Sequence, residues 1–96
     1  MAEHFTRRFV LHGKVQRVGC RAQIFEWADS IGSLSGFVRN LPEGTVEVCV
    51  HGQSWRVDDF EKALREKLLK PIHVEFVEVE ELSSVLWPPG FVIRRL

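Results

Sequence analysis

Two polar side chains stand where chemistry is most easily done. Arg21 closes the stretch "HGKVQRVGCR", His12 to Arg21, which holds two glycines, no acid and three Lys or Arg side chains; Asn40 ends a strand-like run just before "LPEG". Glycines between a strand and a helix let backbone N–H groups converge at the positive end of the helix dipole, a ready site for phosphate or carboxylate. An Arg at that helix start is disfavoured by the dipole by roughly a few tenths of a kcal/mol, so a bound anion that offsets both accounts for its placement. Its planar fork suits two oxygens of one phosphate. The Asn40 amide can accept a hydrogen bond from a water while donating to a phosphoryl oxygen. Plainer readings stand beside these: Arg21 as a surface residue opening a helix, and Asn40 as the Asn that turns favour.

Other chemistries find less support. The loop lacks G-x-x-x-x-G-K-[ST], and no acidic cluster is placed to hold Mg²⁺. It is not a cysteine-phosphatase cradle, because Cys20 and Arg21 are adjacent instead of bracketing the loop, and Cys20 reads as packing or wall-lining. Cys20 and Cys49 form no C-x-x-C pair, so neither a metal nor a disulfide framework is expected, and two reduced, buried thiols are the reading. His4, His12, His51 and His73 are scattered over strands. The third strand, "TVEVCVHG", has no aromatic for base stacking, which argues against an RNA-binding module of the same element order. Trp27, Trp55 and Trp87 read as core or rim.

The elements that must position Arg21 and Asn40 follow from periodicity. Phe5 to His12 is a strand with Phe5, Arg7, Phe9 and Leu11 on one face and Thr6, Arg8, Val10 and His12 on the other. From Arg21 the apolar Ile24, Phe25, Ala28 and Ile31 fall at helical spacing, and Gly32 is placed as a left-handed cap. Leu34 to Asn40 is a strand, "LPEG" a turn with Gly44 at positive φ, and Thr45 to His51 a half-buried hairpin partner that Gly52 breaks. Ser54 to Lys70 is a helix with Val57, Phe60, Leu64 and Leu68 on one face and Asp58/Lys62, Glu61/Arg65 and Glu66/Lys70 as i,i+4 pairs. Pro71 closes it. Ile72, Val74 and Phe76 begin a strand whose apolar phase shifts at Val77 and Val79, so a β-bulge is expected there. After "WPPG", Phe91 to Arg94 adds a short edge strand. The order β-α-β-β-α-β predicts an α+β, ferredoxin-like split βαβ sandwich, a mostly antiparallel sheet with two helices on one face.

Length and charge bound the rest. With 96 residues, residues 1–96 make one domain, and 45% hydrophobic residues supply a core without staples. Thirteen Lys plus Arg against thirteen Asp plus Glu leave no broad positive field for nucleic acid. The charged start "MAEHFTRRFV" does not read as a signal peptide, and no apolar run suits a membrane span. A cytoplasmic monomer is expected.

Two segments together resemble the acylphosphatase family. "GFVRNLPEGTVEVCVHG" carries Gly36, Phe37, Val38, Arg39, Asn40, Gly44, Val46 and Gly52 at the family spacing, and in "LHGKVQRVGCR" Leu11, Gly13, Val15, Gln16, Val18 and Arg21 fit. Arg17 stands where the family usually has Gly, and Cys20 where it has Phe or another bulky residue. The resemblance implies hydrolysis of acyl phosphates to carboxylate and inorganic phosphate by direct water attack, with no cofactor and no metal. It implies phosphate held by Arg21 and by loop amides of Gln16, Arg17, Val18, Gly19 and Cys20, and water positioned by Asn40. If the usual Gly takes positive φ, Arg17 costs about 1–3 kcal/mol of backbone strain or redirects the loop; alternatively it adds a cation that steers substrate. The other functional class kept open is a non-catalytic anion-binding or interaction domain on the same scaffold, with the loop altered by Arg17 and Cys20.

Overall fold

A computed structural model of the chain describes residues 4–16, 19–68, 73–82 and 89–94. They are ordered as β1 (His4–Lys14), α1 (Cys20–Ile31), β2 (Ser35–Asn40), β3 (Val46–Gln53), α2 (Ser54–Leu68), β4 (His73–Leu82) and β5 (Phe91–Arg94). The five strands form one sheet in the order β4-β1-β3-β2-β5. β1 and β2 are both antiparallel to β3, which lies between them, so they run parallel to each other and end at the same edge of the sheet. β5 extends the sheet parallel to β2. This is the expected α+β split βαβ arrangement, and it brings the exit of β1 and the last residue of β2 to one end.

One face of the sheet is apolar because alternation puts Phe9 and Leu11 of β1, Val38 of β2 and Val46, Val48 and Val50 of β3 on it, all of them fully buried. α1 lays Ile24, Trp27 and Ala28 on that face and α2 lays Val57, Phe60 and Leu64, which together close a single apolar cluster. Each large side chain buried there contributes about 1.5–3 kcal/mol. Phe60, whose ring lies 5.8 Å from Phe9 and 6.4 Å from Phe91, joins α2 to both β1 and β5. β2 approaches β3 closely enough that a side chain at Gly36 would place Cβ 1.9 Å from the Cys49 carbonyl oxygen. Only glycine fits there.

Several local expectations are corrected. α1 opens one residue early, so Cys20 belongs to its first turn. Gly32 does end α1 with positive φ (77°), its N–H donating to the Ala28 carbonyl at 3.1 Å, but its ψ of 160° leaves the left-handed helical region. Arg56 of α2 shares the capping: its Nη1 donates to the carbonyls of Ile31 at 2.8 Å and Gly32 at 3.1 Å. β3 is covered on both faces, with Glu47 and Cys49 nearly inaccessible, because its neighbours on either side carry long arginines over it. Gly52 does not break β3; it pairs with Phe5, and its missing side chain leaves room for Leu34 to lean over the strand. The bulge lies nearer the start of β4 than expected: Gly13 pairs with Val74 and His12 with Phe76, so Glu75 is the extra residue, and it sets the parity that turns Val77 toward the core. On α2, Glu61 and Arg65 pair as expected, whereas Asp58 turns to Arg7 of β1. Pro71, Ile72, Lys70 and Trp87 lie outside the described residues.

Candidate active site

The site forms where β1 ends, α1 begins and β2 ends. β1 delivers Val15 and Gln16 into the loop. Val15 is buried and pins the loop to the core, while Arg17 and Val18 lie outside the described residues. The chain re-enters at Gly19, whose φ of 78° and ψ of 12° put it in the left-handed region that glycine adopts without a side-chain penalty. Gly19 is the N-cap of α1. Among the described residues no side chain caps this terminus and no acidic residue stands in its first turn, although both are common ways to satisfy the free N–H groups of a helix start. The terminus is therefore open to an anion.

Arg21 stands in that first turn, against the dipole, and has no carboxylate partner among the described residues. Asn40 ends β2 on the same side of the sheet, two residues on from the core-facing Val38. Its Oδ1 is buried and accepts no hydrogen bond among the described residues. An unsatisfied buried acceptor costs about 1–3 kcal/mol, so a structure that keeps one calls for a ligand or a water. Between Arg21 and Asn40 lies a cleft of about 190 Å³, completed by Gly19 and Cys20 and by the apolar Val15, Ala22 and Ile93. That is smaller than the ~300–1,000 Å³ of drug-sized ligand pockets and suits a small group such as phosphate.

Both thiols are buried, Cys20 in the cleft wall and Cys49 on the opposite face of the sheet. Burial pushes the Cys20 thiol up to about 12, and the nearby Arg21 charge only partly offsets it, so Cys20 stays protonated and lines the wall instead of attacking. Cys49 is likewise buried and pushed up to about 11. The four histidines do fall on β1, β3 and β4, and among the described residues no group of His, Cys, Asp or Glu could hold a metal ion.

Size alone does not mark the site. A larger groove of about 690 Å³ runs between α2 and β4, but its central cation is already taken: Arg7 bridges Asp58 at 2.9 Å, Glu61 at 3.1 Å and Glu81 at 2.7 Å. Of the expected site residues, Arg21, Asn40, Gly19 and Cys20 come together at one cleft. Gln16, expected only for its backbone amide, uses its side chain as well: Nε2 donates to the carbonyls of Leu41 at 2.8 Å and Thr45 at 2.9 Å. Nothing in the local pattern signals those partners, which lie 25 and 29 residues away.

Comparison with known proteins agrees with this geometry. The family model described as "Acylphosphatase" matches residues 7–93. The chain is 42% identical over 89 residues to an acylphosphatase of Azorhizobium caulinodans, covering 93% of this chain and 91% of that one. It is 43% identical over 87 residues to one of Alkalilimnicola ehrlichii, covering 90% and 93%. Among solved structures, the acylphosphatase of Bacillus subtilis superposes with a TM-score of 0.82 at 28% identity, over 94% of this chain and 98% of the other.

Proposed function

The chain belongs to the acylphosphatase family, and from that premise we propose that Arg21, the amides around the start of α1 and Asn40 divide the work of its reaction. The protein hydrolyses acyl phosphates, splitting the carboxyl-phosphate anhydride into a carboxylate and inorganic phosphate. In the proposed division, Arg21 grips two phosphoryl oxygens and the open N–H groups of the first turn of α1, with the loop before it, take the remaining charge. Asn40 Oδ1 accepts a hydrogen bond from the attacking water and holds it in line with the leaving carboxylate. Its buried, unpartnered state is the observation that carries this reading.

A carboxylate is a good leaving group, so orientation and charge stabilisation suffice for a phosphoryl transfer of this kind. The water oxygen bonds to phosphorus, the bond from phosphorus to the acyl oxygen breaks, and its electron pair leaves on the carboxylate. Among the described residues that line the cleft there is no carboxylate or imidazole, and Cys20 is held as a thiol. The water's proton therefore passes to a phosphoryl oxygen of the substrate itself. The reading extends to one domain working as a cytoplasmic monomer, with sedimentation of the purified chain as the check on the monomer.

Phosphate release from an aryl acyl phosphate, with chelator present, tests the assignment. Arg21→Ala and Asn40→Ala, both verified as folded, are expected to lose about 10²-fold or more in turnover. Wild-type turnover in either variant overturns that residue's role. A well-folded wild type that binds phosphate without turnover would point instead to an anion-binding domain.

A further inference from the structure

We infer that Gln16 is a positioning residue for this hydrolysis, a tether that sets the Asn40-bound water relative to the phosphate. The inference rests on the reading of Asn40 given above and adds a role for a side chain that the phosphate does not touch. β1 and β2 are parallel but not adjacent; β3 fills the space between them, so no backbone ladder joins the loop leaving β1 to the end of β2. Gln16 spans that space. Its Nε2 carries two N–H groups, and both are used: one toward Leu41, the residue after Asn40, and one toward Thr45, the residue before β3 begins.

The two carbonyls it reaches are the ones that already hold the turn together. Leu41 N–H donates to Thr45 O at 2.9 Å, and Gly44 N–H donates to Leu41 O at 3.1 Å. Each carbonyl thus accepts twice, once from the turn and once from Gln16, and Asn40 is attached directly to the clamped residue. One side chain therefore couples the loop that leads to Gly19 and Arg21 to the turn that carries Asn40. Hydrolysis in line requires those two halves of the site to keep a fixed separation. Displacing a reacting group by about 1 Å costs about 10²-fold in rate, whereas in the proposed division phosphate affinity rests mainly on Arg21 and the loop amides.

The test is a kinetic cycle on the full chain: wild type, Gln16→Met, Gln16→Asn, Asn40→Ala and Gln16→Met/Asn40→Ala. kcat, KM and inhibition by inorganic phosphate are read for each. Met keeps the length and loses the donors; Asn keeps the donors and loses the reach. Both are expected to lower kcat about 10- to 100-fold with the phosphate inhibition constant held within about twofold. In the Asn40→Ala background the Met substitution is expected to cost less than about twofold, because the water it would misplace is already lost. A second readout covers the case where the double variant is too slow to measure: in phosphate-bound protein, Gln16→Met shifts the side-chain amide resonances of Asn40. Wild-type kcat, phosphate inhibition weakened in step with kcat, an equal rate loss in both backgrounds, or unmoved Asn40 resonances each overturn the tether. Full turnover in Asn40→Ala alone removes the reading on which the tether rests, and the tether with it.

Discussion

Two polar clusters lie on opposite sides of the same sheet and treat their atoms in opposite ways. On the face away from the helices, Glu47 accepts from Arg8 Nε at 2.5 Å and from Arg39 Nε at 2.6 Å, so both of its oxygens are met. Arg39 and Arg94 also flank the buried ring of Phe37, at 5.5 and 4.2 Å from its centroid. At the cleft, among the described residues, Arg21 has no carboxylate, the start of α1 has no side-chain cap and Asn40 Oδ1 has no donor. A carboxylate as buried as Glu47 is tolerated only when paired, which is how a structural charge is held. The cleft leaves its polar groups open at a cost to stability, and in the proposed reading that openness receives the substrate.

The contrast predicts that removing one of the open polar groups of the cleft changes activity and not stability, and that removing a paired charge on the open face does the reverse. The largest effect falls on Asn40→Ala and Arg21→Ala: turnover down by about 10²-fold or more, while thermal unfolding of Asn40→Ala matches wild type or rises, since an unsatisfied buried acceptor is removed. A marked fall in its melting temperature would break the comparison. Next comes Glu47→Ala, which strands Arg8 and Arg39. Because both arginines are partly exposed, a loss of about 2 kcal/mol is expected in denaturant titration, at the low side of buried-pair removals, with kcat within about twofold of wild type.

Two pH effects sharpen the same contrast. Burial alone would raise the Glu47 carboxyl, but the hydrogen bonds and charges of Arg8 and Arg39 outweigh it and hold it below its ordinary value. The unfolded chain then binds the proton first, so this contribution is present above the unfolded pKa and is lost as pH falls through the folded one. The acid arm of a stability–pH curve is expected to flatten in Glu47→Gln. His51, hydrogen-bonded through Nδ1 to Thr6 Oγ1 at 2.8 Å and stacked on His4, is lowered by burial first and by the His4 charge second. Its neutral form is the one the fold favours. Stability is thus expected to decline as pH falls below about 6.5, less so in His51→Gln, and turnover assayed at neutral pH should not change. The smallest effect is Cys20→Ala: a thiol held near 12 supplies no nucleophile, so turnover within about threefold of wild type is expected. Loss of activity there, with the fold intact, would restore a covalent route.

Much of this was legible before any coordinates. Alternation along β1 and β3 and the 3.6-residue spacing of Ile24, Ala28, Val57, Phe60 and Leu64 identify the core face, because periodicity is a local property of each element. The candidacy of Arg21 and Asn40 was legible as residue type beside a loop or turn, and the structure places both on one cleft. Burial of Glu47 was not, since it depends on two arginines that reach it only after β1 and β2 pair on either side of β3. Phe37 shares its side of β2 with Ser35 and Arg39, yet it is buried there under the guanidinium groups of Arg39 and Arg94, the second of which arrives only when β5 pairs with β2.

The sequence by itself determined which elements form, which stripe of each is apolar, and which side chains are chemically able to hold a phosphate and a water. Those follow from bonds and periodicities that each segment carries within itself. The tertiary structure alone decided that Asn40 Oδ1 is buried with no donor among the described residues, and that Gln16 reaches across 25 and 29 residues to clamp the turn after β2. Register and hydrogen-bond satisfaction are properties of pairs distant along the chain, and no local pattern encodes the partner.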